Sequence, residues 1–163
     1  MQTVSPVEAI KPISWLIGKW LSISAKGQYP TIKPFDYCEE LEFSFVGQPM
    51  LNYSSKTWHP EEKRPMHLES GFLRIKPGTS QVSFMIAHNF GLNSLEEGEA
   101  TGCEMKIKSS EISRMSFAKE PAVCKIERHY KLNNDILELV VLMETQNTPL
   151  CEHLRIIYEK SNP

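Results

Sequence analysis

Apolar and polar residues alternate with a period of two through most of this chain. In LEFSFV (41–46), Leu41, Phe43 and Phe45 alternate with Glu42 and Ser44, the signature of a strand with one buried face. LNYSSKTW (51–58) follows across GQP, a hairpin-turn signal. The series continues with HLESGFLRI, VSFMIAHN, CEMKIKS, ISRMSF, CKIERHYKL and ILELVVLM, and ends on CEHLRIIYEK (Cys151 to Lys160). Turn-prone pieces separate these runs: KPGTS, EEGEATG, AKEPA, LNND and TQNTP. Val7 to Leu16 predicts a short helix or turn, with Ser5 before Pro6 as its cap.

These signals recur about every 8–12 residues, a spacing that argues for an all-β sandwich or barrel. Consecutive short strands with tight turns favour an up-and-down antiparallel meander, and closing it removes the exposed sheet edges. The predicted fold is all-β: a roughly ten-stranded antiparallel up-and-down β-barrel, calycin- or fatty-acid-binding-protein-like. It forms a single domain over residues 1–163, with no repeat or linker to divide it. A chain of this size buries about 70% of its unfolded surface and needs no disulfide or structural metal to fold.

Composition narrows the function. The formal charge of −2 offers no bulk attraction to nucleic acid. Cys38, Cys103, Cys124 and Cys151 are widely spread and make no zinc-finger or redox pair. Glu8, Pro6 and Pro12 stand where a secretory leader would need an apolar run, and no stretch approaches the ~20 apolar residues of a membrane helix. The expectation is a reducing compartment, the cytoplasm with the nucleus as a second location, with free thiols and no membrane partner. Nucleophile-elbow, H-E-x-x-H and P-loop motifs are all missing.

Gly18-Lys19-Trp20 opens the strand series in WLIGKW (Trp15 to Trp20), where a glycine admits crowded backbones and a tryptophan plugs one barrel end. WLIGKW, YPTIKPF, VGQPMLNY, RPMHLESGFLRIKPG, ISRMSFAKEP and METQNTPLCEHL together resemble the nitrobindin family across nearly the whole chain. That haem-binding domain also ends some THAP-domain proteins. The family opening is G-x-W-x-G-x-G, and here Ser22 and Ser24 replace two of its glycines.

The resemblance implies haem b in a partly open barrel cavity, with His153 as the iron ligand and thus the catalytic residue. By the same resemblance Thr31 contacts the haem, and Met66, His67 and Met143 face its cavity; His88 lies where relatives often carry glutamine. Blind alternation opposes this for His153. It puts Leu154, Ile156 and Tyr158 on one face and His153 on the other, so the more apolar set would turn His153 outward. An apolar outer face covered by a partner subunit would reconcile the two, and a homodimer is what the family implies.

Other residues carry blander expectations. His59 and His129 read as solvated, and Glu96, Glu97 and Glu99 as a solvated hairpin tip. Met66, Met85, Met115 and Met143 also read as pliable core filler. The implied activity is reversible binding of nitric oxide and isomerisation of peroxynitrite to nitrate by ferric haem. A haem-free carrier of a fatty acid or other apolar molecule is the alternative, with Arg155 or Arg128 at the cavity bottom to meet a carboxylate. A scaffold barrel serving as an interaction module is the third reading.

Overall fold

The computed structural model describes residues 3–161. Ten strands of one antiparallel sheet close into a barrel, because β1 (Gly18–Tyr29) pairs with β3 (Cys38–Phe45) on one side and β11 (Thr148–Lys160) on the other. Between them run β4 (Met50–Trp58), β5 (Pro65–Ile75), β6 (Gln81–His88), β7 (Leu92–Thr101), β8 (Glu104–Arg114), β9 (Val123–Asn133) and β10 (Ile136–Thr145). The short β2 (Ile32–Asp36) folds back only on the end of β1. Each strand otherwise pairs with its sequence neighbour, so the predicted meander is the observed one.

Alternation explains the core. Leu41 and Phe43 of β3, Leu51 and Tyr53 of β4, and Leu137 and Leu139 of β10 point inward and are buried. A one-turn helix α1 (Pro6–Ala9) and a 3₁₀ helix (Lys11–Leu16) precede the barrel, and Ser5 Oγ accepts from the Glu8 N–H at 3.2 Å as the predicted cap. Ile13 and Leu16 are fully buried, and the Trp20 indole donates to the Leu16 carbonyl at 2.9 Å. These groups fill the end where β1 begins. The opposite end, where β5, β9 and β11 begin, stays open as a cavity.

Two strand assignments change. EEGEATG is not a turn: it lies largely within β7, and the chain reverses only at Gly102, whose φ is +61°. CEMKIKS and ISRMSF are not two strands but mostly one, β8, and Met115 and Phe117 beyond it are exposed. The glutamates of β7 obey the alternation once Glu96 is given an internal partner. Leu92, Ser94, Glu96 and Ala100 face in, and Glu97 and Glu99 face out. Neither Ser22 nor Ser24 has a positive φ, the β1–β11 register shifts between them, and Ser22 Oγ accepts from the Glu39 N–H at 2.9 Å. Gly27 is required for a different reason: a Cβ there would lie 2.1 Å from the Phe35 ring at the cavity wall.

Candidate functional site

The cavity holds about 860 Å³ when its mouth is included. One part of its wall is apolar and contains Phe35, Phe90, Val123, Leu139, Met143 and Leu154. His153 stands among these groups because of a local irregularity. On the β10–β11 ladder Val141 pairs with Leu154 and Leu142 with Glu152, so His153 is an extra residue bulged from the strand. Adjacent residues His153 and Leu154 therefore both line the cavity, which strict alternation forbids. Leu154 packs against the core, Ile156 and Tyr158 are fully buried, and no partner subunit is needed to cover that apolar set.

The backbone fixes the histidine's chemistry. His153 Nδ1 lies 2.9 Å from the Gln28 carbonyl, so that nitrogen carries the hydrogen and donates it. Nε2 is left with its lone pair. Burial is the largest influence on the ring and pushes its pKa below the ordinary imidazole value, which keeps it neutral. Tyr29 meets it edge-on, with ring centroids 5.2 Å apart, and is itself anchored by a hydroxyl hydrogen bond to the Met143 carbonyl at 3.0 Å. A neutral imidazole held by a carbonyl, with Nε2 free, is prepared as a metal ligand.

Met66, His67, Met143 and His153 all line this one cavity, and His88 joins them. Thr31 does not: it is exposed on the turn between β1 and β2, outside the lining. His59 sits in a turn, where its Nδ1 accepts from the N–H groups of Glu61 and Glu62. His129 is half-exposed beside Glu127. Of the methionines read as core filler, Met115 is exposed; Met105, outside that reading, is fully buried.

The rest of the wall is ionic. Arg128 is buried and donates from Nε to Glu96 at 2.8 Å and from Nη1 to Glu69 at 3.0 Å. Glu96 is fully buried, which corrects its reading as part of a solvated tip; only Glu97 and Glu99 are exposed. Glu69 Oε1 also accepts from the Tyr53 hydroxyl at 2.9 Å. Burial opposes ionisation of Glu69, but Arg128 and the hydrogen bond from His67 outweigh it and hold the carboxyl well below its usual range. Glu39 has no such cation in contact. Burial lifts its carboxyl to about 7, and the Tyr158 hydroxyl donates to it.

His67 and His88 attach to this network. His67 Nε2 is 2.7 Å from Glu69 Oε2 and 3.2 Å from His88 Nδ1, while His88 Nε2 reaches Ser94 Oγ at 2.9 Å. Burial lowers the His88 pKa to about 4. Sequence reasoning missed Glu39 and Glu69 as cavity groups, and Ser94 and Glu96 as the buried groups behind His88 and Arg128. The signal that could find them is the two-residue spacing of His67 with Glu69 and of Ser94 with Glu96, which puts each pair on one strand face.

A small closed β-barrel with a metal-ready imidazole in an apolar pocket defines a ligand-binding barrel. Residues 9–160 match the family described as the THAP4-like, heme-binding beta-barrel domain, and the chain belongs to that family. Peroxynitrite isomerase THAP4 of Rattus norvegicus is 48% identical over 156 residues, covering 94% of this chain and 27% of that protein. The chain thus spans about a quarter of that relative's length. Peroxynitrite isomerase Rv2717c of Arabidopsis thaliana is 38% identical over 153 residues, 93% of this chain and 88% of that protein. The crystal structure of Rv2717c from M. tuberculosis matches the fold with a TM-score of 0.84 at 32% identity, covering 94% of this chain and 98% of that one.

Proposed function

We propose that this protein holds haem b through His153 and, with the iron ferric, isomerises peroxynitrite to nitrate, with nitric oxide as a second ligand. The observation that carries this reading is the state of His153: neutral, tied at Nδ1 to a backbone carbonyl, and bulged into an apolar cavity. The names of the similar proteins from rat and Arabidopsis support it.

The residues present fit a haem. One imidazole supplies a lone pair, the apolar wall suits a porphyrin face, and the buried Tyr37 hydroxyl lines the cavity without a protein partner. Haem, when bound, would supply a Lewis-acidic iron. The chain's residues do the remaining work. Gln28 and Tyr29 fix the plane and tautomer of His153. Phe35, Val123 and Leu139 exclude water, while Met66, His67 and Met143 are assigned to the haem environment; Thr31, exposed outside that lining, is assigned to the haem edge by the family resemblance alone. Apolar burial at roughly 25 cal/mol per Å² provides most of the affinity.

The alternative of a fatty-acid carrier loses its motive, because both cations weighed for it are engaged. Arg128 is paired with Glu69 and Glu96, and Arg155 lies on the exposed outer face with Glu138 and Glu152.

The test is a hemin titration followed by peroxynitrite decay with nitrate measured. Wild-type chain is expected to give a saturable Soret band at one hemin per chain and to accelerate decay to nitrate, and His153→Ala to lose both. No saturable band in the wild type, or an unchanged spectrum in the variant, overturns the assignment.

A further inference from the structure

On the ionic wall, three ligand-type atoms converge: His67 Nε2, His88 Nδ1 and Glu69 Oε2, all within 4.8 Å of one another. We propose that His67, Glu69 and His88 form a second metal site, taking a divalent transition ion such as zinc independently of His153. The separations are 2.7 Å between His67 and Glu69, 3.2 Å between the two imidazoles, and 3.5 Å between His88 and Glu69. A tetrahedral ion with ligands at ~2.0–2.1 Å sets its donors roughly 3.3 Å apart. The triangle already has nearly that size, so small side-chain shifts suffice.

The lone pairs point the right way. Ser94 donates to Glu96 Oε2 at 2.8 Å, so Ser94 Oγ accepts from His88 Nε2, and His88 Nδ1 is left as a bare acceptor. That acceptor faces the same place as the Glu69 carboxylate. Without an ion, a single hydrogen on His67 Nε2 serves both neighbours. When the His67 hydrogen moves to Nδ1, an ion takes the Nε2 lone pair in its place and gives each of the three donors its own bond.

The surroundings resemble those of a built site. His88 is braced through Ser94 to Glu96, the carboxylate-to-histidine support that orients metal ligands. Glu69 Oε1 keeps Tyr53 and Arg128 Nη1, so Oε2 turns to the ion and gives up the hydrogen bond from His67 at 2.7 Å and its longer contact with Arg128 Nη2 at 3.3 Å. Two buried carboxylates, Glu69 and Glu96, face one guanidinium, leaving negative charge for a cation to offset. Two imidazoles and one carboxylate are the donor set of open zinc and non-haem iron sites. All three side chains line the cavity, so the remaining position opens into it.

Zinc titration of the intact, metal-stripped chain by calorimetry, with cobalt as the spectroscopic probe, tests the site. One ion per chain is expected, with a tetrahedral cobalt spectrum free of sulfur charge transfer. His88→Gln is expected to weaken binding at least ~100-fold and Ser94→Ala ~10-fold, with thermal melts showing that both variants fold. His153→Ala is expected to bind as the wild type does, which separates this site from the haem ligand. Absence of saturable binding, a thiolate spectrum, indifference to His88→Gln, or loss in His153→Ala would each overturn the proposal.

Discussion

The two parts of the cavity wall treat charge in opposite ways. Around His153 an imidazole is kept neutral by burial, while a single carbonyl fixes its tautomer. Around Arg128 a guanidinium is buried only because two carboxylates meet it. Removing a neutral ring from the first region strands no charge and leaves only the exposed Gln28 carbonyl without its donor, whereas removing the cation from the second strands two buried carboxylates. Ligand chemistry can thus be edited at His153 with little structural cost. The ionic region is bound up with folding.

The largest effect that comparison predicts is for Arg128→Leu, which leaves Glu69 and Glu96 without their cation. Urea unfolding should show a loss of roughly 3–5 kcal/mol; a loss below 1 kcal/mol would erase the distinction between the regions. Glu39 comes next. Above pH 4.5 the unfolded chain has released this carboxyl proton, while the folded chain holds it until about 7. Stability contributed by the retained proton is complete below 4.5 and falls as pH rises to about 7. The span is worth roughly 3 kcal/mol. Glu39→Gln should flatten that slope in melts recorded across the window, and an unaltered slope would assign it elsewhere.

Smaller effects sharpen the picture near His153. Tyr29→Phe deletes the hydroxyl bond to Met143 and should cost about 1 kcal/mol in denaturant, with hemin loss somewhat faster as the imidazole loses its brace. Thr31→Ala should leave stability within about 0.5 kcal/mol, since the residue is exposed. If Thr31 contacts the haem edge, this variant should still speed transfer of hemin to a scavenging protein. An unchanged transfer rate removes it from the contacts.

Much of the barrel was legible because alternation is a local signal: LEFSFV and LNYSSKTW fall in β3 and β4, although Phe45 at the end of β3 is exposed and Val46 lies beyond it. The exceptions were β8, read as two strands, and β7. The β7 glutamates look like a turn until Arg128, 32 residues further on, is seen to donate to Glu96 inside the barrel. Such a pairing is set by tertiary register and leaves no mark in the local sequence. The bulge at His153 is hidden for a related reason, since an unpaired residue on one strand has no compositional signature. Period two turns His153 outward, and only the resemblance pointed to it. Met66, His67 and Met143 also came from the resemblance, and they share one cavity with His153. Thr31 came from the same source and lies outside that lining. The ionic cluster of Glu39, Glu69 and Glu96 went unread because acidic residues on strands are ordinarily solvent-facing.

The most direct test of the central claim is resonance Raman spectroscopy of the ferrous, hemin-loaded chain. An iron–histidine stretching band in the wild type, lost in His153→Ala and restored as an iron–imidazole band by added imidazole, is the predicted result. The same band persisting in His153→Ala without added imidazole would show that another residue holds the iron and would contradict the account.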